Sequence, residues 1–278
     1  MFGDIFEFNN IVVLVKRTRL MNYDFDFRRY FDCTSIQQQT NKHILLRIGA
    51  ISDFIEVESN LKEMGMKLLF TEYQHNLSSR LECWYPLLCE YTPFSKVYTD
   101  FPEIDELLED FKFPIFVKGN RQTSYHKKNL CIIKDKNMYE NLKKEWKKNK
   151  ILHWQQIAIR KFIDLEKVDD TSFPDMIQFS YEFRVFIWKG KIVGIGKYWC
   201  MGKDYYLKDN DKEEVTKLAL KAYKRINVPF LAVDVAKTKS GQWIIVEIND
   251  GQECGYAGVE PYLLWKNVSD AELNRTIT

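Results

Sequence analysis

PFLAVDVAKTKSGQWIIVEINDGQ, residues 229–252, decides how this chain reads. Ser240-Gly241 is a turn signal with apolar runs on both sides, which predicts an antiparallel hairpin. With a loop symmetric about that dipeptide, residues whose numbers sum to 481 face each other. Asp234 then lies opposite Glu247, and Asn249 follows two positions on, on the same face. Val233, Val235, Val246 and Ile248 fall on the other face and predict its burial. Two carboxylates opposed in a sheet repel each other. Three hard oxygen donors converging on one patch are nevertheless what Mg2+ or Mn2+ carrying substrate phosphates requires. Asp234, Glu247 and Asn249 are therefore the candidate metal ligands, set against the plainer reading of an exposed strand face with scattered acids.

Composition bounds the rest. A chain of 278 residues, 45% hydrophobic and 15% aromatic, predicts a globular protein of two or three packed lobes. No apolar run approaches the roughly 18 residues of a membrane span, so the expectation is a soluble protein with no membrane partner. The opening MFGDIFEFNN has neither a basic leader nor a continuous apolar stretch, which predicts no secretory signal. Cys33, Cys83, Cys89, Cys131, Cys200 and Cys254 lie far apart without a CxxC, as expected of reduced thiols in a cytoplasmic protein. A formal net charge of +2 argues against a dedicated nucleic-acid binder.

Along the chain, Ile11–Val15 reads as a strand and SIQQQTNK as a loop. HILLRIG is a strand, Ser52 the cap of a helix ending near Met64 and Gly65, and MKLLF a returning strand, which makes one βαβ unit. Leu77, Leu81, Trp84, Leu87 and Leu88 form a helical stripe, and YTPFSKVYTDFPE reads as the connection to the next lobe. Residues 113–163 follow the order strand, loop, strand, helix, strand, and the basic run KKEWKKNK is a solvated helix face. The predicted boundaries are residues 1–110, 111–160 and 161–278.

Lys118 ends the strand FPIFVKG and precedes a polar loop carrying His126, Lys127 and Lys128, the composition of a phosphate clamp or of a plain basic surface. YEFRVFIWKGKIVGIGKYW predicts a second hairpin about Lys189-Gly190, with opposed residues summing to 379. Glu182 then faces Lys197, as a salt bridge or as part of a nucleotide site, and Arg184 shares their surface, where an arginine reaches a phosphoryl group.

A strand ending in Lys, a flexible loop, a strand leading through Arg160, Lys161, Phe162 and Ile163, and then Asp and Glu-x-Asn on an antiparallel sheet resemble the ATP-grasp family. The resemblance implies an α+β fold in which two lobes sandwich ATP, preceded by a smaller α/β domain. Within the family the chain is most similar to the clade named for two arginines and a lysine, through the stretches at residues 84–88, 117–118, 182–184 and 246–252. By that resemblance Lys118 contacts the α and β phosphates, and Lys127 or Lys128 the β and γ phosphates. Backbone groups of residues 161–163 read the adenine edge, Asp164 or Glu166 holds the ribose, and Asp234, Glu247 and Asn249 hold the metals. The chain departs from the family in two places. Ala232 stands where many family ligases carry an arginine, so that Arg184 must supply that charge, and the phosphate loop has Gly119 as its one glycine.

The resemblance implies an ATP-dependent carboxylate–amine ligase that works through an acyl phosphate and releases ADP and phosphate. Its substrates would be small-molecule or peptide carboxylates and amines, with a protein substrate or a homodimer left open. The acceptor is expected near GQECGYAG, where Gly251, Gly255 and Gly258 permit close approach, with Cys254 as an ordinary small residue rather than a nucleophile. The alternative is an ATP-binding assembly chaperone, since the hairpin and the VEIND ending also resemble the cell-division-cycle protein that assembles a translation initiation factor. A nucleotidyltransferase adenylated on Lys118 is weaker, because GNRQ after it lacks the KxDG pattern.

Overall fold

A computed structural model describes residues 4–15, 25–34, 42–47, 49, 51, 53–123, 126–168, 173, 175–274 and 277. Among them the strands form three sheets. The first contains β1 (Asp4–Phe8), β2 (Ile11–Val15), β3 (Cys33–Thr34), β4 (His43–Arg47) and β5 (Lys67–Leu68), in the order β3-β1-β2-β4-β5. Every side chain of β2, IVVLV, is buried, as an unbroken apolar run demands of a strand covered on both faces. After the short α1 (Phe27–Tyr30), β4 and β5 pair in parallel across α2 (Phe54–Glu63), so the expected βαβ unit is present. Its helix is capped by Asp53, whose carboxylate accepts from the Glu56 N–H at 2.9 Å. Ser52, expected in that role, lies outside the described residues, as does nearly all of SIQQQTNK.

The leucine stripe is two helices, α3 (Glu72–Ser79) and α4 (Leu81–Leu88), broken at Arg80, whose φ of −117° and ψ of 126° are extended. Leu77, Leu81, Trp84 and Leu88 are buried while Leu87 is exposed. The second sheet has the order β6-β9-β7-β8, from β6 (Ser95–Tyr98), β7 (Ile115–Gly119), β8 (Ile132–Ile133) and β9 (Ile157–Lys161). The segment expected to be a connection thus contains a strand, β6, which pairs antiparallel with β9 and draws the chain into this lobe ahead of residue 111. α5 (Ile104–Asp110), α6 (Lys128–Cys131) and α7 (Lys136–Lys148) complete the lobe. In α7 Tyr139, Leu142 and Trp146 are buried, and the basic run is largely exposed on the other side.

The third sheet is antiparallel throughout, in the order β11-β10-β12-β13, from β10 (Glu182–Trp188), β11 (Lys191–Lys197), β12 (Phe230–Lys237) and β13 (Trp243–Asp250), with α8 (Asp209–Ile226) and α9 (Pro261–Glu272). Both predicted hairpins are present, and each carries a bulge. In β12–β13 the pairs nearest the turn, such as Lys237 with Trp243, are one residue short of the symmetric register. An extra residue at Val246 restores it, so Asp234 does face Glu247. In β10–β11 the turn at Lys189 (φ 42°) and Gly190 (φ 87°) is as expected, but an extra residue at Val193 shifts everything beyond it. Lys197 therefore stands opposite Phe183, and Arg184 opposite Gly196, which overturns the expected pairings of Glu182 with Lys197 and of Arg184 with Ile195.

One continuous core joins the first sheet to the third, with Phe8 against Trp188 (ring centroids 6.0 Å apart) and Phe27 against Trp265 (5.3 Å). The middle lobe has its own core of Leu107, Phe111, Val117, Tyr139, Leu142 and Trp146. Two α+β lobes with an α/β domain before them are the architecture that the family resemblance implied. Among the described residues no helix is long and apolar enough to cross a membrane.

Candidate functional site

A cavity of about 390 Å³ lies between the second and third sheets. Phe116 and Ile132 from the smaller lobe, and Ile244 and Val246 from β13, supply apolar wall, while Lys118, Lys128, Lys134 and Lys167 line it with positive charge. Val246 was expected on the buried back face of β13. The bulge turns it toward the cavity beside Glu247, because two residues of a bulged strand oppose one partner.

Lys118, next to last in β7, is 3% exposed. Its Nζ donates to Glu247 Oε1 on β13, and this contact closes the cavity wall across the two lobes. Gly119 follows because nothing larger fits. A Cβ there would collide with Gln155 Oε1, the atom that accepts from the N–H groups of Arg121 (3.1 Å) and Gln122 (3.0 Å) and so holds the start of the loop. Of the two loop lysines, Lys128 lines the cavity, whereas Lys127 is the N-cap of α6, bridged to Met176, and does not.

Beneath Glu247 lies a second ion pair. Arg184 donates to Asp234 in a fork, Nε to Oδ1 and Nη2 to Oδ2, both at 2.7 Å, and its Nη1 donates to the Gly255 carbonyl at 2.7 Å. Asn249 Nδ2 adds a bond to Asp234 Oδ2 at 3.0 Å. Burial raises the Asp234 carboxyl pKa, against the pull of Arg184; burial also opposes the Arg184 charge, but Asp234, with Cys254 and Tyr198, leaves that guanidinium well above its usual value. Neither Arg184 nor Asp234 lines the cavity, so the arginine expected to face a phosphoryl group instead directs its donors to the protein.

Glu182 lines the cavity and is buried, accepting from Ser180 Oγ at 2.8 Å. Burial, reinforced by Asp234, pushes its carboxyl up to about 8, so it is mostly protonated at neutral pH. Lys197 lies apart from it, paired with Asp204. Arg160 borders the cavity, but its guanidinium bonds Ser95 Oγ (2.9 Å), Thr92 Oγ1 (2.6 Å) and the Val246 carbonyl (2.7 Å), which ties the two sheets together. Lys161, Phe162, Ile163 and Asp164 line the cavity as a strip joining the lobes, and the Lys161 N–H is taken by the Phe94 carbonyl at 2.8 Å. Glu166 stands outside the lining, 4.0 Å from Lys208.

His126, named in the sequence on its loop without a role of its own, lines the cavity together with Tyr198 and Trp199, which the sequence did not single out. His126, on the loop, sits 3.3 Å from the Tyr198 hydroxyl and edge-on to Trp199, and burial lowers its pKa to about 4, leaving it neutral. Tyr198 and Trp199 directly follow β11, and their one sequence signal is that position. Two of the three glycines expected near the acceptor, Gly251 and Gly258, are packed closely against protein. A Cβ on Gly251 would stand 2.6 Å from the Phe230 ring, and one on Gly258 2.8 Å from the Lys197 carbonyl oxygen. Cys254 is buried and its thiol pushed up to about 11 by that burial, which agrees with a packing role.

The donor chemistry fits a hard divalent cation at Glu247, which lines the cavity, and at the amide oxygen of Asn249, which lies outside the lining and whose nitrogen is bonded to Asp234. Asp234 adjoins them, with both of its oxygens held by Arg184. Among the described residues no group of three or more His, Cys, Asp and Glu side chains is arranged around a common metal position.

The profile of an ATP-grasp domain, family 3 of the clade named for two arginines and a lysine, matches residues 108–268, more than half of the chain. No curated protein sequence matches significantly. Among solved structures, the chain resembles a RimK domain ATP-grasp protein from Sphaerobacter thermophilus, at 14% identity over 82% of this chain and 78% of that one, with a TM-score of 0.55. It resembles the D-alanine–D-alanine ligase of Bacillus anthracis complexed with ATP at 20% identity, over 84% and 74% of the two chains, with a TM-score of 0.55. The ATP-grasp ligase PsnB, complexed with its precursor peptide PsnA2 and AMPPNP, is similar at 12% identity over 79% and 67%, with a TM-score of 0.50. At these identities the likeness is one of fold.

Proposed function

The chain belongs to the ATP-grasp family, in the clade named for two arginines and a lysine, and from that premise we propose that it is an ATP-dependent carboxylate–amine ligase. The observation that carries the reading is the meeting of Lys118 and Glu247 on the wall of a cavity that combines apolar surface with several lysines. Such a cavity suits a ligand with a flat apolar end and a polyanionic end. In this reading Phe116, Ile132, Ile244 and Val246 would take the base, and Lys118 and Lys128 the phosphates. The site is arranged for positioning and charge neutralisation, the main contributions to phosphoryl transfer.

Glu247 and Asn249 would hold a divalent cation, whose contribution is to neutralise charge on the phosphate oxygens. Arg184 acts at one remove, by fixing Asp234 behind them. In the reaction a substrate carboxylate oxygen attacks the γ phosphorus and ADP departs. An amine then displaces phosphate from the acyl phosphate, losing a proton as the amide forms. The test is nucleotide release from ATP by the purified protein with pooled amino acids and short peptides. ADP and phosphate are expected in equal amounts, and release of AMP would overturn the reading. The commitment of Arg184 to Asp234 favours a second reading, an ATP-clamped binding module, and tight ATP binding without turnover under any substrate pool would select it.

A further inference from the structure

Lys118 and Glu247 come from different lobes, 129 residues apart, and neither could be left alone where it sits. Lys118 is 3% exposed and the Glu247 side chain 18%. An isolated charge at that depth is costly, so each supplies the other's counter-charge while the cavity holds no ligand. Among the described residues Lys118 has no substitute carboxylate, and the cation beside Glu247, Arg160, already donates to Ser95, Thr92 and the Val246 carbonyl. Asp234 is held by Arg184 and Asn249, and Glu182, the other carboxyl on the wall, is mostly protonated at neutral pH.

We infer that the Lys118–Glu247 pair is a specificity determinant that opens the site to a divalent cation and a polyphosphate together and closes it to either one alone. The inference rests on the proposed function only in taking the cavity to receive a nucleotide. A bare cation reaching Glu247 must displace the ammonium and leaves Lys118 buried beside a double positive charge. A bare polyphosphate drawing Lys118 away leaves the half-buried Glu247 unpaired against negative charge. When both arrive, Lys118 turns to the phosphates and Glu247 to the cation, and each charge is partnered again. Coupling of this kind is reciprocal, so each ligand strengthens the binding of the other by the same factor.

Two equilibrium measurements test it, neither of which involves turnover. Mn2+ is titrated into nucleotide-free wild-type and Lys118→Met protein, with free Mn2+ followed by electron paramagnetic resonance. ATP in excess EDTA is titrated into wild-type and Glu247→Gln protein by calorimetry. Removing the lysine is expected to tighten Mn2+ binding, and neutralising the glutamate to tighten binding of metal-free ATP, each by about tenfold or more, within the roughly 5- to 150-fold range usual for coupled sites. If the pair served only to hold the lobes together, both variants would bind no better than wild type, and either result in a variant with native circular dichroism overturns the inference. Should one variant fail to fold, the other decides. A protein without ligase activity can still show both gains, and an active ligase can lack them, so failure here is distinct from failure of the proposed function.

Discussion

Arg184→Ala separates what the third sheet says from what the sequence says. The truncation removes two 2.7 Å charge-assisted bonds to Asp234 and one to the Gly255 carbonyl. It leaves a carboxylate of 0% exposure with Asn249 as its remaining side-chain partner. Breaking a buried ion pair from one side costs about 3–5 kcal/mol, most of it the penalty for the stranded charge. With a urea m-value of about 3 kcal/mol/M, that loss lowers the denaturation midpoint by about 1–1.7 M. The control is Arg184→Met with Asp234→Asn, which removes both charges at similar volume and should recover to within about 1 kcal/mol of wild type, since well-packed neutral replacements of buried pairs are often neutral. The assay is urea unfolding followed by tryptophan fluorescence, alongside ATP turnover. A single variant that loses less than about 1 kcal/mol, or a double variant no more stable than the single, refutes the buried-pair account. A fully stable Arg184→Ala protein whose turnover has collapsed would do the same, and would restore the arginine to the phosphoryl group.

Two further outcomes are expected. Lys118→Ala should weaken Mg2+·ATP binding by roughly 10- to 100-fold, the loss expected of one hydrogen bond to a charged group, while adenosine binding stays within about twofold by calorimetry, and equal losses for both ligands would contradict a phosphate contact. Glu182 has its pKa raised to about 8 from a usual 4.5, so the protonated form stabilises the fold below the lower value and that stability drains away as pH rises toward the upper one. Glu182→Gln, which stays neutral, should flatten the loss of ligand-free stability between about pH 4.5 and 8 relative to wild type, by on the order of 4 kcal/mol across the window. Parallel stability–pH curves for the two proteins would rule this out.

The elements that carry the site were legible because a strand's alternation is local. A turn dipeptide between apolar runs sets which residues of a hairpin can oppose, and this placed Asp234 opposite Glu247 and Asn249 beside them. The same logic put Lys118 at the end of a strand and the basic face of α7 in solvent. It failed wherever a bulge intervened. The extra residues at Val193 and Val246 have no turn signal, and they follow from how the sheet packs and twists rather than from the alternation itself. One bulge moved Lys197 away from Glu182, and the other turned Val246 into the cavity.

By itself the sequence determined the family, from motifs spread over residues 108–268, and also the two hairpins, the strand that carries Lys118 and the carboxylate pair, which depend on near neighbours along the chain. The tertiary structure alone decided which charges meet. Lys118 reaches Glu247 only because the two lobes face each other across the cavity, and Arg184 is bound to Asp234 only because β10 and β12 lie side by side in the same sheet with those two residues in register. The physical reason is that pairing between buried charges is set by where the folded lobes leave no water to screen them, and no periodicity in the chain encodes that.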